Sequence, residues 1–348
     1  MTTALSSVDR PLMHLPASLS ALLSRPATDA AVLATSKDPN GKVSVLLFSP
    51  AARGIDMVVK VPSTELARAA VETEAHVLSQ VGARIPSNLR TTIPTVLGFV
   101  EAGGHPALVV SGLEGTAMSV SYHRWHHSRR PSRVIRDFAV AGSWLRRLHE
   151  STAAERRPAD MTWGGLVTAA LHERFAAEHG FDLVAEWLSA STERLGRVST
   201  PATVVHGDFW FGNILTSGDE VSGVVDWEHG TESGEPTRDV VRFALSYALY
   251  LDRHTAAGRR VAGHPGLRCG AWGAGVVYAV EGRGWFPNLF REFIITHLVR
   301  LGAPGARWHD AALAGVAEVA ATADEPEFAQ RHFCLLRELI DVAPRGDA

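Results

Sequence analysis

The spacing of apolar residues changes partway along the chain, and this change limits the folds that the sequence can adopt. Between residues 29 and 112 the apolar stretches are short and rich in Val and Leu, as in AAVLATS, KVSVLLFS and DMVVKVP. Such stretches are typical of strands, and the Asn-Gly pair in DPNG at 38–41 is a strong hairpin signal. We therefore predict a small antiparallel meander at the start of this region.

A helix and two further strands complete this first region. Residues 63–81 begin with Ser63 or Thr64, either of which can cap a helix N-terminus. The apolar residues that follow at helical spacing are Leu66, Ala70, Val77 and Leu78. TVLGFVEAGGHPALVVSGL then predicts two strands around a Gly-Gly turn. Residues 29–112 are thus interpreted as three strands, a helix and two strands.

Beyond residue 112 the chain becomes mainly helical. The segment 132–150 carries an apolar stripe formed by Val134, Phe138, Leu145 and Leu148. Six later segments also have helical patterns: LVTAALHERFAAE, LVAEWLSASTERL, RDVVRFALSYALYLDRHT, FREFIITHLVRLG, HDAALAGVAEVAATA and FAQRHFCLLRELI. Short strands interrupt them around TVVHGD, GNILTSG and VSGVVDW. The pattern predicts an α+β fold with a small sheet-rich part, a larger helical part, and a tail over residues 1–28 with at most one short helix.

Composition excludes several classes of function. A formal net charge of −3 offers no basic domain for nucleic acid. No apolar run reaches the length of a membrane span, and the first twenty residues lack the pattern of a secretory signal. Cys269 and Cys334 have no metal-binding spacing and are expected to be free thiols. We expect a cytoplasmic protein without nucleic-acid or membrane partners.

The stretch HGDFWFGNIL, residues 206–215, places two polar side chains among apolar ones. Asp208 and Asn213 would be costly to bury unless they bind a partner. Asp226 follows thirteen residues after Asn213, across a glycine-bearing turn that predicts a hairpin. The hairpin would bring two carboxylates and one amide oxygen together, and such oxygen ligands suit Mg²⁺ with substrate phosphates. Taken singly, each could be a turn or capping residue.

Lys60 stands alone among valines in the third predicted strand. A buried ammonium group needs a counter-charge, and Glu72 or Glu74 on the following helix can supply one, with Glu74 better placed. An edge-strand lysine in solvent is the alternative. A strand lysine, a helix glutamate, Asp-x-x-x-x-Asn and a later Asp are together the parts used in phosphoryl transfer.

These motifs resemble those of the aminoglycoside phosphotransferase and choline kinase-like family of the protein-kinase-like superfamily. HGDFWFGNIL and GVVDWEHG resemble its H-G-D-x-x-x-x-N and I-D-W/F-E signatures, and the resemblance covers roughly residues 30 to 250. WLRRLHE and EPTRDVVRF resemble two further family segments. The resemblance implies a bilobal kinase-like fold, with a nucleotide-binding N-lobe over 29–112 and a helical C-lobe over 113–348 that binds the acceptor.

The resemblance also implies a role for each site residue. Asp208 would accept or orient the proton of the acceptor hydroxyl, and Asn213 and Asp226 would hold Mg²⁺. Lys60 would hold the nucleotide phosphates and Glu74 would orient it. The hinge residues expected to face the purine are Val110, Ser111 and Leu113. His206 is expected to anchor the catalytic loop, and Asp239 to brace it or to cap a helix.

The sequence departs from the family pattern in two places. No G-x-G-x-x-G precedes Lys60, so SKDPNGK at 36–42 is the only candidate cover for the phosphates. Phe211 stands where relatives often carry a small residue. Glu228 could be a further ligand or an exposed acid, and the His- and Arg-rich segment 121–133 could be a solvated loop or touch an anion.

The predicted reaction is Mg²⁺-dependent transfer of the γ-phosphoryl group of ATP or GTP to a hydroxyl of a small molecule. Antibiotics are candidate acceptors, although the mixed charge beyond residue 238 gives no strongly acidic pocket for an aminoglycoside. A metabolite kinase of the choline, homoserine or sugar type is the enzyme alternative, and a nucleotide-binding pseudokinase is the non-enzyme alternative. The oligomeric state is left open.

Overall fold

A computed structural model of the protein describes residues 15–24, 29–35, 41–48, 54–159 and 165–342. Its N-terminal part contains a five-stranded antiparallel sheet in the order β1-β2-β3-β5-β4. The strands are β1 Asp29–Thr35, β2 Lys42–Phe48, β3 Ile55–Pro62, β4 Val96–Ala102 and β5 His105–Ser111. The helices of this part are α1 Leu19–Leu23, α2 Glu65–Arg84 and the short α3 Ser87–Arg90. The predicted run of three strands, a helix and two strands is confirmed.

β1 and β2 pair antiparallel, as the meander requires. The turn predicted at DPNG and most of the candidate phosphate cover SKDPNGK fall on residues 36–40, which lie outside the described residues. The one short helix expected in the tail is α1, which buries Leu22 against the sheet.

The two faces of the sheet pack against different neighbours. Val59 lies in a small core with Leu22, Leu47 and Val109 on the face that α1 covers. Leu108 and Val110 join the main core on the other face, where α2 lies. Because side chains alternate along a strand, Lys60 points away from the face of Val59 and toward α2.

Helix α2 begins where a cap was predicted, since the Thr64 hydroxyl accepts a hydrogen bond from Ala67 N at 3.0 Å. Its predicted apolar face was partly wrong. Leu66 is 53% exposed because it lies in the first turn, before the helix meets the sheet. The buried face instead carries Ala67, Val71, Glu74, Ala75, Val77, Leu78 and Val81.

The rest of the described chain is mainly helical. The helices are α4 Met118–Tyr122, α5 Pro131–Thr152, α6 Leu166–Phe175, α7 Phe181–Gly196, α8 Thr237–Leu249, α9 Ala274–Glu281, α10 Trp285–Leu301, α11 Trp308–Thr322 and α12 Pro326–Val342. The short strands are β6 Thr116–Ala117, β7 Arg156–Pro158, β8 Ser199–Pro201, β9 Thr203–Val205, β10 Ile214–Ser217, β11 Glu220–Val224 and β12 Thr231–Gly234. The predicted hairpin is the antiparallel pair β10–β11.

Helix α5 forms the centre of this helical part. Its predicted stripe of Val134, Phe138, Leu145 and Leu148 is buried, with no member more than 2% exposed. Trp144, on the same helix, stacks on Phe209 of the loop after β9, with ring centroids 5.3 Å apart. The apolar stripe of α5 therefore supports the segment that carries Asp208. The α+β class, with a small sheet ahead of a larger helical part, is confirmed.

Candidate active site

The loop after β9 is held in place by one buried carboxylate. Asp239, in the first turn of α8, accepts hydrogen bonds from His206 N at 2.7 Å and from Gly207 N at 2.8 Å. Asp239 is fully buried, and burial raises the pKa of its carboxyl group in spite of these contacts. The bracing expected of this residue is therefore present.

His206 ties the same loop to the following strand. Its Nε2 lies 2.9 Å from the Val225 carbonyl oxygen, and its Nδ1 accepts a hydrogen bond from Asp208 N at 3.2 Å. Both contacts are satisfied by a neutral ring that carries its proton on Nε2. With both ring nitrogens engaged and the side chain buried, His206 anchors the loop, as the sequence predicted.

Asp208 is held through both of its carboxylate oxygens. Nε and Nη2 of Arg242, on α8, donate to Oδ1 at 2.8 and 2.7 Å. Asn213 Nδ2 donates to the Asp208 backbone oxygen at 3.0 Å and to Oδ2 at 3.1 Å. The carboxylate is therefore fixed by one charged and one neutral donor before any substrate binds.

A second charge cluster joins the sheet to the helical part. Lys60 Nζ lies 2.6 Å from both carboxylate oxygens of Glu74 and 2.9 Å from Asp226 Oδ1. Burial acts to lower the pKa of Lys60, but the charges of Asp226 and Glu74 outweigh it and raise this pKa. Lys60 and Lys42 likewise hold the pKa of Asp226 well below its usual value against the effect of burial. Lys60 and Asp226 are thus both charged at neutral pH.

The surroundings of Asp226 show why this residue is unusual. Its φ angle is +69°, a left-handed conformation that Asp tolerates better than most residues. Lys42 Nζ lies 3.7 Å from Asp226 Oδ1 and also pairs with Glu228. Of the two readings for Glu228, the exposed acid is wrong, because its side chain is only 10% exposed and lies at the site.

These residues share one open cavity of about 470 Å³. Its walls include Asp208, Asn213, Asp226 and Glu228, together with Arg242. The wall opposite the loop comes from α11 and the start of α12, through Glu318, Val319, Thr322, Ala323, Asp324, Glu325 and Phe328. The cavity therefore runs from the charge cluster of the sheet to the last two helices.

Glu318 is the one carboxyl group of the far wall that is deeply buried, with a side chain 4% exposed. It pairs with Arg238, but burial raises its pKa to about 7. Its ionisation is therefore poised near neutrality, unlike that of Asp226.

The predicted hinge residues do not line this cavity. Val110 and Ser111 end β5, and the Ser111 N–H donates to the Thr95 carbonyl oxygen at 2.9 Å. Leu113 lies against Gly223 of β11 and so links the sheet to the hairpin of the site. Their contacts with a nucleotide remain a prediction.

The oxygen atoms at the site fit a hard divalent cation. In the part of the chain that the structure describes, no hydrogen bond is recorded to Asn213 Oδ1 or to Asp226 Oδ2, and both residues line the cavity. No group of three or more His, Cys, Asp and Glu side chains among the described residues is arranged to hold a metal ion. One carboxylate and one amide suit Mg²⁺, which usually takes its remaining ligands from phosphates and water.

Arg242 escaped prediction from the sequence, and Lys42 was predicted only as the last residue of the candidate phosphate cover at 36–42. Arg242 is the single charged residue in the apolar run VVRFAL, and Lys42 begins β2. The argument applied to Lys60, that a lone charge among apolar residues needs a partner, would also have identified Arg242.

The remaining predictions concern the loop and the surface. Phe211 is fully buried and stacks on Tyr122 with ring centroids 4.5 Å apart, so it packs the loop after β9 against α4. In the segment 121–133, His127 bonds Asp137 at 2.7 Å and His123 lies 3.2 Å from His254. Cys269 and Cys334 are free, as predicted. No helix among the described residues is long and apolar enough to cross a membrane.

Two comparisons of the sequence with known proteins return matches. The family model described as the APH phosphotransferase enzyme family matches residues 44–272, which is more than half of the 348-residue chain. A homoserine kinase from Methylobacterium nodulans is 33% identical over 158 residues, which is 43% of this chain and 44% of that protein. The chain thus spans less than half the length of this curated relative.

Solved structures match over most of the chain. The aminoglycoside phosphotransferase APH(4)-Ia is 13% identical, with a TM-score of 0.54 over 91% of this chain and 97% of that one. The ADP-bound aminoglycoside phosphotransferase APH(2'')-Ib is 14% identical, with a TM-score of 0.51 over 92% and 96%. The macrolide 2'-phosphotransferase MphH from Brachybacterium faecium is 14% identical, with a TM-score of 0.50 over 92% and 94%. At these identities the likeness establishes the fold.

Proposed function

The chain belongs to the phosphotransferase enzyme family and is a small-molecule phosphotransferase, and from this premise we propose that it transfers the γ-phosphoryl group of ATP or GTP to a hydroxyl group with the help of Mg²⁺. The resemblance drawn from the motifs is thereby confirmed. The observation that carries the proposal is that Asp208, Asn213 and Asp226 line one cavity, with Lys60 bonded to Asp226.

Asp208 is the group that receives the proton in this proposal. The acceptor oxygen forms a bond to the γ-phosphorus, the bond from that phosphorus to the β-phosphate oxygen breaks, and ADP or GDP leaves. The acceptor's proton passes to a carboxylate oxygen of Asp208, whose orientation Arg242 and Asn213 already fix. The protein forms no covalent bond with the transferred group in this proposal. Most of the rate enhancement therefore comes from positioning the substrates and from stabilising the charge of the transition state.

Asn213 and Asp226 hold the cation in this proposal. When bound, Mg²⁺ neutralises charge that develops on the transferred group. Lys60 stays 2.9 Å from Asp226 Oδ1 and therefore brings positive charge to the same place, where it binds phosphate oxygens. Lys42, 3.7 Å from the same oxygen, adds a second positive charge that can draw in the triphosphate.

Structural neighbours support the two substrate classes. A variant of APH(4)-Ia with a TM-score of 0.53 and 12% identity was solved with AMP-PNP and hygromycin B. The APH(2'')-Ib structure holds ADP. An adenine nucleotide as donor and an antibiotic among the candidate acceptors are consistent with these complexes. The homoserine kinase relative favours an amino-acid alcohol as the second candidate acceptor.

Mass spectrometry of an acceptor panel tests the proposal. The panel contains aminoglycosides, macrolides, homoserine, choline, sugars and neutral alcohols, each incubated with the enzyme, Mg²⁺ and either ATP or GTP. We expect one class to gain a phosphoryl group, and we expect EDTA to abolish the gain and Mg²⁺ to restore it. Asp208→Asn should lose the product while it keeps nucleotide binding. Absence of both nucleotide binding and product would overturn the proposal.

Asp226→Asn provides a second check, because Asn also tolerates the left-handed backbone at this position. This variant should fold normally and require more Mg²⁺ for the same rate. Asp219→Asn, on the exposed turn of the hairpin, is the matched control and should leave the Mg²⁺ requirement unchanged.

A further inference from the structure

A second pocket opens directly from the candidate base. Its mouth, where it meets the larger cavity, is lined by Asp208, Trp210, Arg242, Val319 and Phe328, and it extends between α8, α9, α11 and α12. It has a volume of about 210 Å³ and shares Asp208, Trp210, Arg242, Val319 and Phe328 with the larger cavity. We call it the inner pocket. Its position means that a molecule seated in it would present its near end to the Asp208 carboxylate.

The inner pocket is apolar behind its mouth. The side chains that line it there are Leu245, Ser246, Leu249, Tyr250, Val276, Val316, His332 and Leu335. Valines, leucines and a tyrosine make up all of these except Ser246 and His332. Such a lining favours apolar groups and gives few partners to polar ones.

Charge in the inner pocket is confined to its mouth. Asp208 and Arg242 form an ion pair there and so cancel each other. His332 is neutral, since burial lowers its pKa to about 3 and its Nδ1 lies 2.9 Å from the Phe328 carbonyl oxygen. The lining therefore carries no net charge at neutral pH.

We propose that the inner pocket receives the body of the acceptor, and that this acceptor is an uncharged, mainly apolar alcohol. The inference rests on the proposed function, because it takes Asp208 as the group to which the reacting hydroxyl is bound. It goes further by naming the class of acceptor and the side chains that select it.

The cost of burying a charge decides against charged acceptors. An ammonium group placed among Val276, Val316 and Leu335 would lose its water without gaining a counter-charge. A polycationic amino sugar would therefore have to remain in the outer cavity.

The size of the inner pocket sets a second limit. Pockets for drug-sized molecules are typically about 300–1,000 Å³. At about 210 Å³ the inner pocket takes a small alcohol whole or one apolar end of a larger molecule. In both cases the hydroxyl lies at the mouth, where Asp208 can accept its proton.

Ligand-observed NMR and kinetics test the proposal with defined probes. The neutral probes are benzyl alcohol and cyclohexylmethanol, and the charged probes are an aminoglycoside and homoserine. We expect the full-length enzyme with Mg²⁺ and AMP-PNP to bind the neutral probes, and with ATP to phosphorylate them with a higher kcat/KM than the charged ones. Preferred binding of a charged probe, or no binding of a neutral probe up to its solubility limit, would overturn the proposal.

Substitutions at Leu249, a half-buried residue of the inner pocket, test whether the neutral probes bind in this pocket. Leu249→Glu puts a carboxylate into the inner pocket and should weaken binding of the neutral probes by about tenfold or more. Leu249→Met should keep it, and Val299→Glu, at an exposed position of α10 outside the pocket, is the matched control. Unchanged probe binding in Leu249→Glu would overturn the assignment. AMP-PNP binding by each variant reports an intact fold, and its absence in the wild type would instead count against the proposed function.

Discussion

Arg242 binds a single carboxylate oxygen of Asp208. Both Nε and Nη2 of the guanidinium group donate to Oδ1, within 2.8 Å. The other carboxylate oxygen is left to Asn213 Nδ2 at 3.1 Å. Burial acts to lower the pKa of Arg242, but its pairing with Asp208 outweighs burial and raises it. Arg242 is therefore a permanently charged residue that positions the candidate base.

Arg242→Lys should lower kcat about 10- to 100-fold, with little change in the KM for nucleotide. Lysine keeps the positive charge but cannot form two bonds from one planar group, so the carboxylate of Asp208 loses its fixed orientation. Steady-state kinetics would show the effect in kcat. Arg197→Lys is the matched control, since that side chain is 75% exposed and does not line the cavity. An equal loss in both variants would contradict a positioning role.

Lys60→Met should destabilise the protein by about 3–5 kcal/mol, the usual cost of leaving a buried charge without its partner. Glu74 is fully buried, and among the described residues the Trp227 N–H, at 3.3 Å, would be its one remaining hydrogen-bond donor. Glu74→Gln should cost less, because Lys60 retains Asp226 at 2.9 Å. Urea unfolding measures both changes.

Arg68→Met is the matched control for this pair of variants. Arg68 also bonds a glutamate on α2, Glu72, at 3.0 Å, but its side chain is 44% exposed. Surface pairs of this kind contribute about 0–1 kcal/mol. A similar loss of stability in Lys60→Met and Arg68→Met would show that the Lys60 cluster is not the buried network described above.

The sequence was informative where a local pattern carries the chemistry. Asp208, Asn213 and Asp226 are polar residues at fixed spacing in apolar stretches, and their spacing implies a shared hairpin. Lys60 could be paired with Glu74 because a buried charge demands a partner on the next element. These inferences use contacts between neighbouring elements, which a sequence pattern can predict.

The sequence was less informative where distant elements meet. The contact between Arg242 and Asp208 joins residues 34 positions apart through the packing of α8 on the loop, which no local spacing reveals. Helix α9 was missed because glycines surround a short apolar run at 274–281. Leu66 fits the helical period of α2, yet it lies in the first turn of that helix and is 53% exposed.

Gly207→Ala should destabilise the protein by about 2 kcal/mol or more and remove most of its activity. Gly207 has a φ angle of +82°, and an added Cβ would lie 2.0 Å from the carbonyl oxygen of His229. Neither the strain nor the clash can be relieved without moving Asp208 or the loop after Asp226.

Gly218→Ala is the matched control for the backbone effect. Gly218 also has a left-handed φ angle, +62°, but nothing lies within 4 Å of its added Cβ. This variant should cost about 1–2 kcal/mol from the backbone alone and leave kcat unchanged. Thermal unfolding and kinetics on both variants separate strain from the clash at the site, and equal losses of activity would contradict the explanation.

Stability should fall as the pH drops below about 6.5, because buried histidines, among them His149 and His297, stay neutral in the folded protein. Burial lowers the pKa of His149 to about 3 and that of His297 to about 4. In the unfolded chain both histidines have a pKa near 6.5. Below that pH the unfolded state therefore binds protons that the folded state does not bind. The stability that these neutral histidines contribute is fully present above pH 6.5. It is lost as the pH falls toward their pKa values in the folded protein, by at most about 1.4 kcal/mol per pH unit for each histidine.

His149→Gln should reduce this slope, whatever its effect on absolute stability, and urea unfolding at several pH values between about 6.5 and 4 measures it. Glu318 changes the stability in the opposite direction. Its pKa in the folded protein is raised to about 7, so as the pH falls the folded state binds this proton at a higher pH than the unfolded state does. The difference between variant and wild type removes that contribution, which both proteins share. His76→Gln, at an exposed position of α2, is the matched control and should keep the wild-type slope. An unchanged slope in His149→Gln would mean that this histidine is already protonated in the folded protein.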